Sequence, residues 1–361
     1  MSTFIQIHLL TSYPPANLNR DDLGRPKTAV MGGVQRLRVS SQSLKRAWRT
    51  SDLFQGKLKG YVGTRTKEMG ARVLGRLIAA GIGEGEAKKW AQAIAQRFGK
   101  AKGDGGEIEQ LAHFSPAEVS AVENLTAVLI AERRPPREEE LSALLHARHT
   151  AADIALFGRM LAANPSFNME AAAQVAHAIT VHKVAVEDDY FTAVDDLNLG
   201  EEDMGAAHIG ETEFAAGLFY LYVCIDRDLL VENLTVGDGR DSAEELARET
   251  LQALTEAAAT VAPTGKQNSF ASRAYASYIL AEKGTRQPRS LSVAFLKPVS
   301  EKGDGMLANA IEALQSTRAN MDKVYGALSD VDPCVVNAAT GEGSLDALLR
   351  FVSEPLPAKK E

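Results

Sequence analysis

Between Arg20 and Arg49 the chain carries Arg20, Arg25, Lys27, Arg36, Arg38, Lys45, Arg46 and Arg49 against only Asp21 and Asp22, a local charge of +6 in a protein whose net charge is −7. Guanidinium and ammonium groups at this density address an anion, and phosphate suits them because several donors can converge on its oxygens. Ser40 and Ser41 add hydroxyls, and the N–H groups that open a helix after Ser40 add further donors. With 47 acidic against 40 basic side chains overall, bulk positive charge is excluded as the means of holding nucleic acid. Any such binding is local.

Three other groups of residues could do chemistry. Asp21 and Asp22 are adjacent carboxylates of the kind that hold magnesium for hydrolysis. Flanked by Arg20 and Arg25, they read equally well as salt-bridged residues that order a loop. Pro263-Thr-Gly-Lys-Gln-Asn268 is a polar, Gly-containing loop after a helix in which Lys266 and Gln267 could touch phosphate. It lacks the first glycine and the Ser/Thr of a Walker A loop. His146 and His149, three apart, and His177 and His182, five apart, have no cysteine nearby and no His-Glu-x-x-His pattern, so they read as core or surface histidines. Cys224 and Cys334 sit in apolar stretches without a paired spacing, which predicts no zinc and a reducing compartment.

These residues need elements to position them. Phe4–Leu10 predicts a buried strand. Residues 14–38, rich in Pro, Gly, Asn and Arg, predict a long ordered loop. Ser40 is the expected N-cap of a helix over 41–50, in which Leu44, Ala47 and Trp48 share one side at about 100° per residue and Gln42, Lys45, Arg46 and Arg49 the other. The sequence from 60 to 155 is Ala-rich and helical, broken at 81–85, 102–106 and 133–137, and predicts an inserted helical subdomain. Phe214–Ile225 predicts a strand, Ser242 with Glu245 a capping box opening a helix, and 274–280 a further strand. That order is the order of a split βαβ sheet, so the expected fold class is α+β, RRM-like or ferredoxin-like. With 361 residues and 45% hydrophobic side chains a sizeable core is expected. No basic n-region, cleavage site or apolar run of about 20 residues is visible, which predicts a cytoplasmic protein with no membrane partner.

The stretch Leu18-Asn-Arg-Asp-Asp22, then Gly32-Gly33, then Arg38-Val-Ser-Ser-Gln-Ser-Leu-Lys-Arg-Ala47, resembles the CasC family, the Cas-seven backbone subunits of type I-E CRISPR Cascade. The resemblance continues through Ile154-Ala-Leu-Phe-Gly-Arg-Met160, Ala176-His-Ala-Ile-Thr180, Asp189-Tyr-Phe-Thr-Ala-Val-Asp-Asp196, Ala207-His-Ile-Gly210 and Leu328-Ser-Asp-Val-Asp-Pro333. It departs most between about residues 53 and 148.

The resemblance implies an RRM-like palm over 1–59 and 156–361, helical fingers over 60–155, and a β-hairpin thumb near 182–213. It implies a structural, non-enzymatic antiviral-defence protein without cofactor or metal, whose copies assemble head to tail on guide crRNA. Its other partners would be target DNA, through the guide, and the remaining Cascade subunits. The expected RNA contacts are Asn19, Arg20, Lys27, Ser40, Gln42, Lys45, Arg46, Arg49, Lys266 and Gln267, with Met160, Phe191 and Thr192 as wedges beside kinked bases. By residue type alone an isolated Met or Phe reads as core. A guide of variable sequence is held by backbone, shape and stacking. The rival that Asp21 and Asp22 raise is a metal-dependent ribonuclease like the backbone subunits of related type III complexes.

Overall fold

The computed structural model of the protein describes residues 2–193 and 208–357. The chain opens with β1 (Phe4–Ala16), in which residues 5–11 are buried on both faces. Ile5, Ile7 and Leu9 alternate with Gln6, His8 and Leu10. Both inward polar residues have partners: Tyr222 Oη donates to Gln6 Oε1 at 2.8 Å, and His8 Nδ1 lies 2.9 Å from Tyr220 Oη.

The expected loop over 14–38 is strand over about half its length: β1 runs to Ala16, and β2 (Thr28–Met31) and β3 (Val34–Val39) form a hairpin, with residues 17–27 as the loop before it. Gly32 and Gly33 make its turn with φ of +62° and +77°, the geometry that matches strand twist and that glycine adopts without strain. Arg36 hid the strand, because an inward-facing arginine breaks the apolar alternation. It is fully buried, donating from Nη1 to Thr180 O at 3.0 Å and from Nη2 to Phe295 O at 2.9 Å. After β3 comes α1 (Ser41–Arg49), with Leu44, Ala47 and Trp48 buried as its spacing predicts.

The helical stretch follows as α2 (Asp52–Lys57), β4 (Thr64–Thr66), α3 (Met69–Ala79), α4 (Glu84–Ala95), β5 (Ala101–Lys102), β6 (Glu107–Ile108), β7 (Ala112–Phe114), α5 (Pro116–Glu132), α6 (Glu138–Ser142) and α7 (Ala152–Phe157). Gly81 at φ +77° and Arg133 at φ +49° stand at two of the expected breaks. The third holds the β5–β6 pair, and β4 pairs with β7; these strands of two or three residues leave no periodic trace. The helices close over Leu77, Ala91, Ile94, Phe98, Phe114 and Leu129.

Then come β8 (Ala173–Val175), β9 (Ala178–Thr180), β10 (Glu187–Ala193), β11 (His208–Asp226), α8 (Arg227–Leu234), α9 (Arg240–Thr260), α10 (Gln267–Phe270), β12 (Tyr278–Gly284), α11 (Met306–Tyr325), β13 (Cys334–Asn337) and α12 (Leu345–Ser353). The expected strand 214–225 lies inside β11. α9 starts at Arg240, so Ser242 is its third residue and not its cap. The strand expected over 274–280 begins at Tyr278 and runs to Gly284. Its second half was disguised by Glu282 and Lys283, both buried. Glu282 is tolerated there because Arg289 and Arg318 donate to it at 2.9 and 2.7 Å. Burial alone would raise its pKa, but His8 and the two arginines reverse that and hold it far below the carboxylate range.

Among the described residues the chain is thus a mixed α/β protein of twelve helices and a nine-stranded sheet in the order β13-β12-β1-β11-β9-β3-β2, with β8 and β10 also paired to β11. It divides into two compact units, one of residues 1–3, 52–174 and 225–253, the other of residues 4–51, 175–224 and 254–361. No described helix is long and apolar enough to cross a membrane.

Candidate nucleic-acid interface

α1 is capped by side chains from three places. Ser40 Oγ accepts from Ser43 N at 3.3 Å, Asn19 Oδ1 accepts from Ser40 N at 2.9 Å, and His177 Nδ1 accepts from Ser41 N at 3.1 Å. Of the first N–H groups of α1, expected to face phosphate, Ser41 N and Ser43 N are thus already bonded within the protein. What α1 presents is its basic face: Gln42 and Arg46 are exposed, Lys45 and Arg49 half-buried. Burial lowers the Lys45 pKa, as expected for an ammonium whose stem lies along apolar surface.

The loop before the hairpin is ordered by its own backbone. Asp21 Oδ1 accepts from Leu23 N and Arg25 N, both at 2.9 Å, and Lys27 N donates to Asn19 O at 2.8 Å. The sequence suggested that Asp21 and Asp22 salt-bridge to Arg20 and Arg25. Arg25 instead pairs with Glu213, Nε to Oε1 at 3.2 Å, and Asp21 caps main-chain N–H groups. Arg20 and Asp22 are exposed. Asn19, Lys27 and Arg38 rim a shallow depression floored by Leu18, Leu37, Val39 and Phe219. Of the eight basic residues, Arg36 is spent on structure, a correction to the count of cations facing a ligand.

The Pro263–Asn268 loop joins this site through a glycine. A Cβ on Gly265 would stand 2.2 Å from Leu18 O, so only glycine lets that loop lie against residues 17 and 18. Lys266, in the left-handed region at φ +49°, is exposed, and Gln267 is half-buried. The contact brings two segments that are far apart in sequence to one place.

β10 and β11 form the arms of a hairpin, with Phe191 opposite Gly210 and Thr192 opposite Ile209. Phe191 is 44% exposed and its ring lies over Gly210, where a Cβ would come within 2.2 Å of it. Thr192 is exposed. Residues 194–207 of the thumb expected near 182–213 lie outside the described residues.

Met160, in the other unit, is 74% exposed and so not a core residue. The turn that presents it has Gly158 at φ +77° and is anchored by its neighbour Arg159, which is buried. Arg159 pairs with Glu118 at 2.6 Å and donates to Phe167 O at 3.0 Å and His146 O at 3.1 Å. A buried charge pair whose guanidinium also donates to two backbone carbonyls fixes the backbone on either side.

Two residues at the interface were missed by the sequence reading. His177, read as a core or surface histidine, also receives Arg38 Nη1 on the same Nδ1 at 3.4 Å. Its pKa is lowered by burial and by the Arg38 and Lys27 charges. Asn17, fully buried, donates from Nδ2 to Gly24 O and to Glu213 O, both at 2.9 Å. The His177–Arg38 and Asn17–Glu213 pairings have no local signature, because they join segments 139 and 196 residues apart. Among the described residues no group of three or more His, Cys, Asp or Glu is placed to hold a metal ion.

The fold is shared with solved structures. A chain of a "CRISPR RNA-guided surveillance complex, pre-nicking" matches at TM-score 0.78 and 29% identity, covering 97% of this chain and 100% of that one. A second, from a "CRISPR RNA-guided surveillance complex", matches at TM-score 0.68 and 23% identity, covering 96% and 99%. No curated protein matches the sequence. The profile of the CT1975-like proteins matches residues 5–349, almost the whole length, and the chain belongs to that family.

Proposed function

We propose that the chain is a non-catalytic backbone subunit of a CRISPR RNA-guided complex of type I-E, holding guide RNA by its phosphates and exposing bases for pairing with target DNA. The observation that carries this reading is the convergence, in one unit, of the basic face of α1, the Asn19–Lys27 loop, the Lys266 loop and the Phe191 hairpin. None of these is a base-reading device; cations and an aromatic hold backbone and stack on any base.

The strand order β12-β1-β11-β9, with α1 and α9 between the strands in sequence, supports an RRM-like palm, since it is the 4-1-3-2 order of a split βαβ sheet. The β10–β11 hairpin serves as the thumb. Copies of the chain associate head to tail along the RNA in the cytoplasm, and other Cascade subunits cap the row. The use of the Asp21 carboxylate by two main-chain N–H groups supports a loop-ordering role over metal-dependent cleavage.

Anisotropy titration of unrelated single-stranded RNAs of equal length tests this. Affinity is expected to be alike across sequences and to fall steeply with salt. Discrimination by sequence, or cleavage with magnesium or manganese that is lost in Asp21→Ala or Asp22→Ala, would overturn it.

A further inference from the structure

The interface contains a mechanical link that the RNA-binding reading alone does not require. Asn17 is fully buried at the end of β1, and both of its side-chain N–H bonds are used on carbonyls of different segments. One goes to Gly24 O, in the loop that carries Arg20. The other goes to Glu213 O, in β11 opposite Asp188 of β10, at the root of the hairpin that carries Phe191. A second tie runs parallel to it, from Arg25 to Glu213 at 3.2 Å. A third contact closes the group: the Phe214 and Phe270 rings lie 6.0 Å apart, joining the hairpin root to the helix that follows Lys266.

The loop does not need Asn17 to keep its own shape. The two bonds to Asp21 Oδ1, the Lys27-to-Asn19 bond and the Arg20–Pro26 bridge hold it internally. The bonds from Asn17 therefore act between elements. We infer that Asn17 is a positioning residue that couples the Arg20 loop to the β10–β11 hairpin, so that RNA phosphate engaged by the loop fixes the direction of the hairpin. This rests on the RNA-binding reading. A two-donor buried amide suits the role, because losing either carbonyl partner would leave a buried group unsatisfied.

Hydrogen exchange of the full chain with and without a short oligouridylate is the test. In the wild-type protein, RNA is expected to slow exchange by about threefold or more both in residues 21–27 and in residues 188–192 and 210–214. In Asn17→Asp, which keeps the shape of the side chain and removes both donors, the loop is still protected and the hairpin is not. Arg25→Ala, which removes only a half-exposed ion pair and leaves the fold intact, weakens the transmitted protection about twofold and serves where Asn17→Asp fails to fold. Loop protection without hairpin protection in the wild-type chain overturns the coupling, as does full transmission in Asn17→Asp. Absence of binding or protection anywhere in the wild-type chain overturns instead the RNA-binding reading.

Discussion

Lys45 and Arg49 stand one turn apart on α1, beside the buried stripe of Leu44 and Trp48, and in the proposed function each meets a phosphate and no base. The double variant Lys45→Ala with Arg49→Ala is expected to weaken binding by a similar factor for every guide sequence. It should also lower the salt slope by about one unit per lost phosphate contact. A loss that varies with sequence in the same titrations would place these side chains at base edges. Met160 and Arg159 give a contrasting pair. Met160→Ala removes an exposed side chain and should leave stability within about 0.5 kcal/mol while reducing local distortion of the bound RNA in chemical probing. Arg159→Ala strands Glu118 in the interior and should cost about 3–5 kcal/mol by denaturant unfolding. If Met160→Ala destabilises like Arg159→Ala, the residue is structural and its presentation to RNA is wrong.

At the scale of elements, the β2–β3 hairpin carries Arg38 and ends next to Lys27, and its turn fits closely. A Cβ on Gly32 would fall 1.7 Å from Leu296 O, inside any contact distance, and the residue has φ +62°. Gly32→Ala should therefore shift the hairpin off residue 296 and weaken RNA binding several-fold with no change in charge. The same titration finding wild-type affinity in a folded Gly32→Ala would show that hairpin placement is irrelevant to the site. This hairpin also shows where a sequence is legible and where it is not. α1 was readable because its cap, apolar stripe and basic face all lie within ten residues and obey one period. The hairpin's Gly-Gly turn was a readable signal, but inward Arg36 broke the alternation beside it, and only contacts to residues 180 and 295 explain that arginine. Likewise β12 was displaced because Glu282 is neutralised by Arg289, beyond the strand's own end, and by Arg318 on a later helix. At the site, the cations were visible in the sequence, whereas Asn17 and His177 act only through residues brought to them by the sheet.

At the scale of the molecule, acid response follows from burial. His149 is 2% exposed, and burial together with the Arg159 charge lowers its pKa to about 4. Because the folded value lies below the unfolded 6.5, the unfolded chain binds the extra proton between those limits. The stability contributed by neutral His149 is complete above about pH 6.5 and is lost progressively towards about pH 4, roughly 3 kcal/mol at most. His149→Asn should reduce the slope of unfolding free energy against pH over that window. An unchanged slope would assign the acid sensitivity elsewhere.

The central claim is that copies of this chain line a guide RNA through its backbone. Nuclease digestion of the chain purified with its RNA, followed by sizing of the protected fragments, tests it most directly. The account predicts protected lengths that grow in equal steps as further copies join, for any guide sequence. A chain that purifies as a monomer free of RNA, or that protects one fixed sequence and no multiples of a unit length, would contradict it.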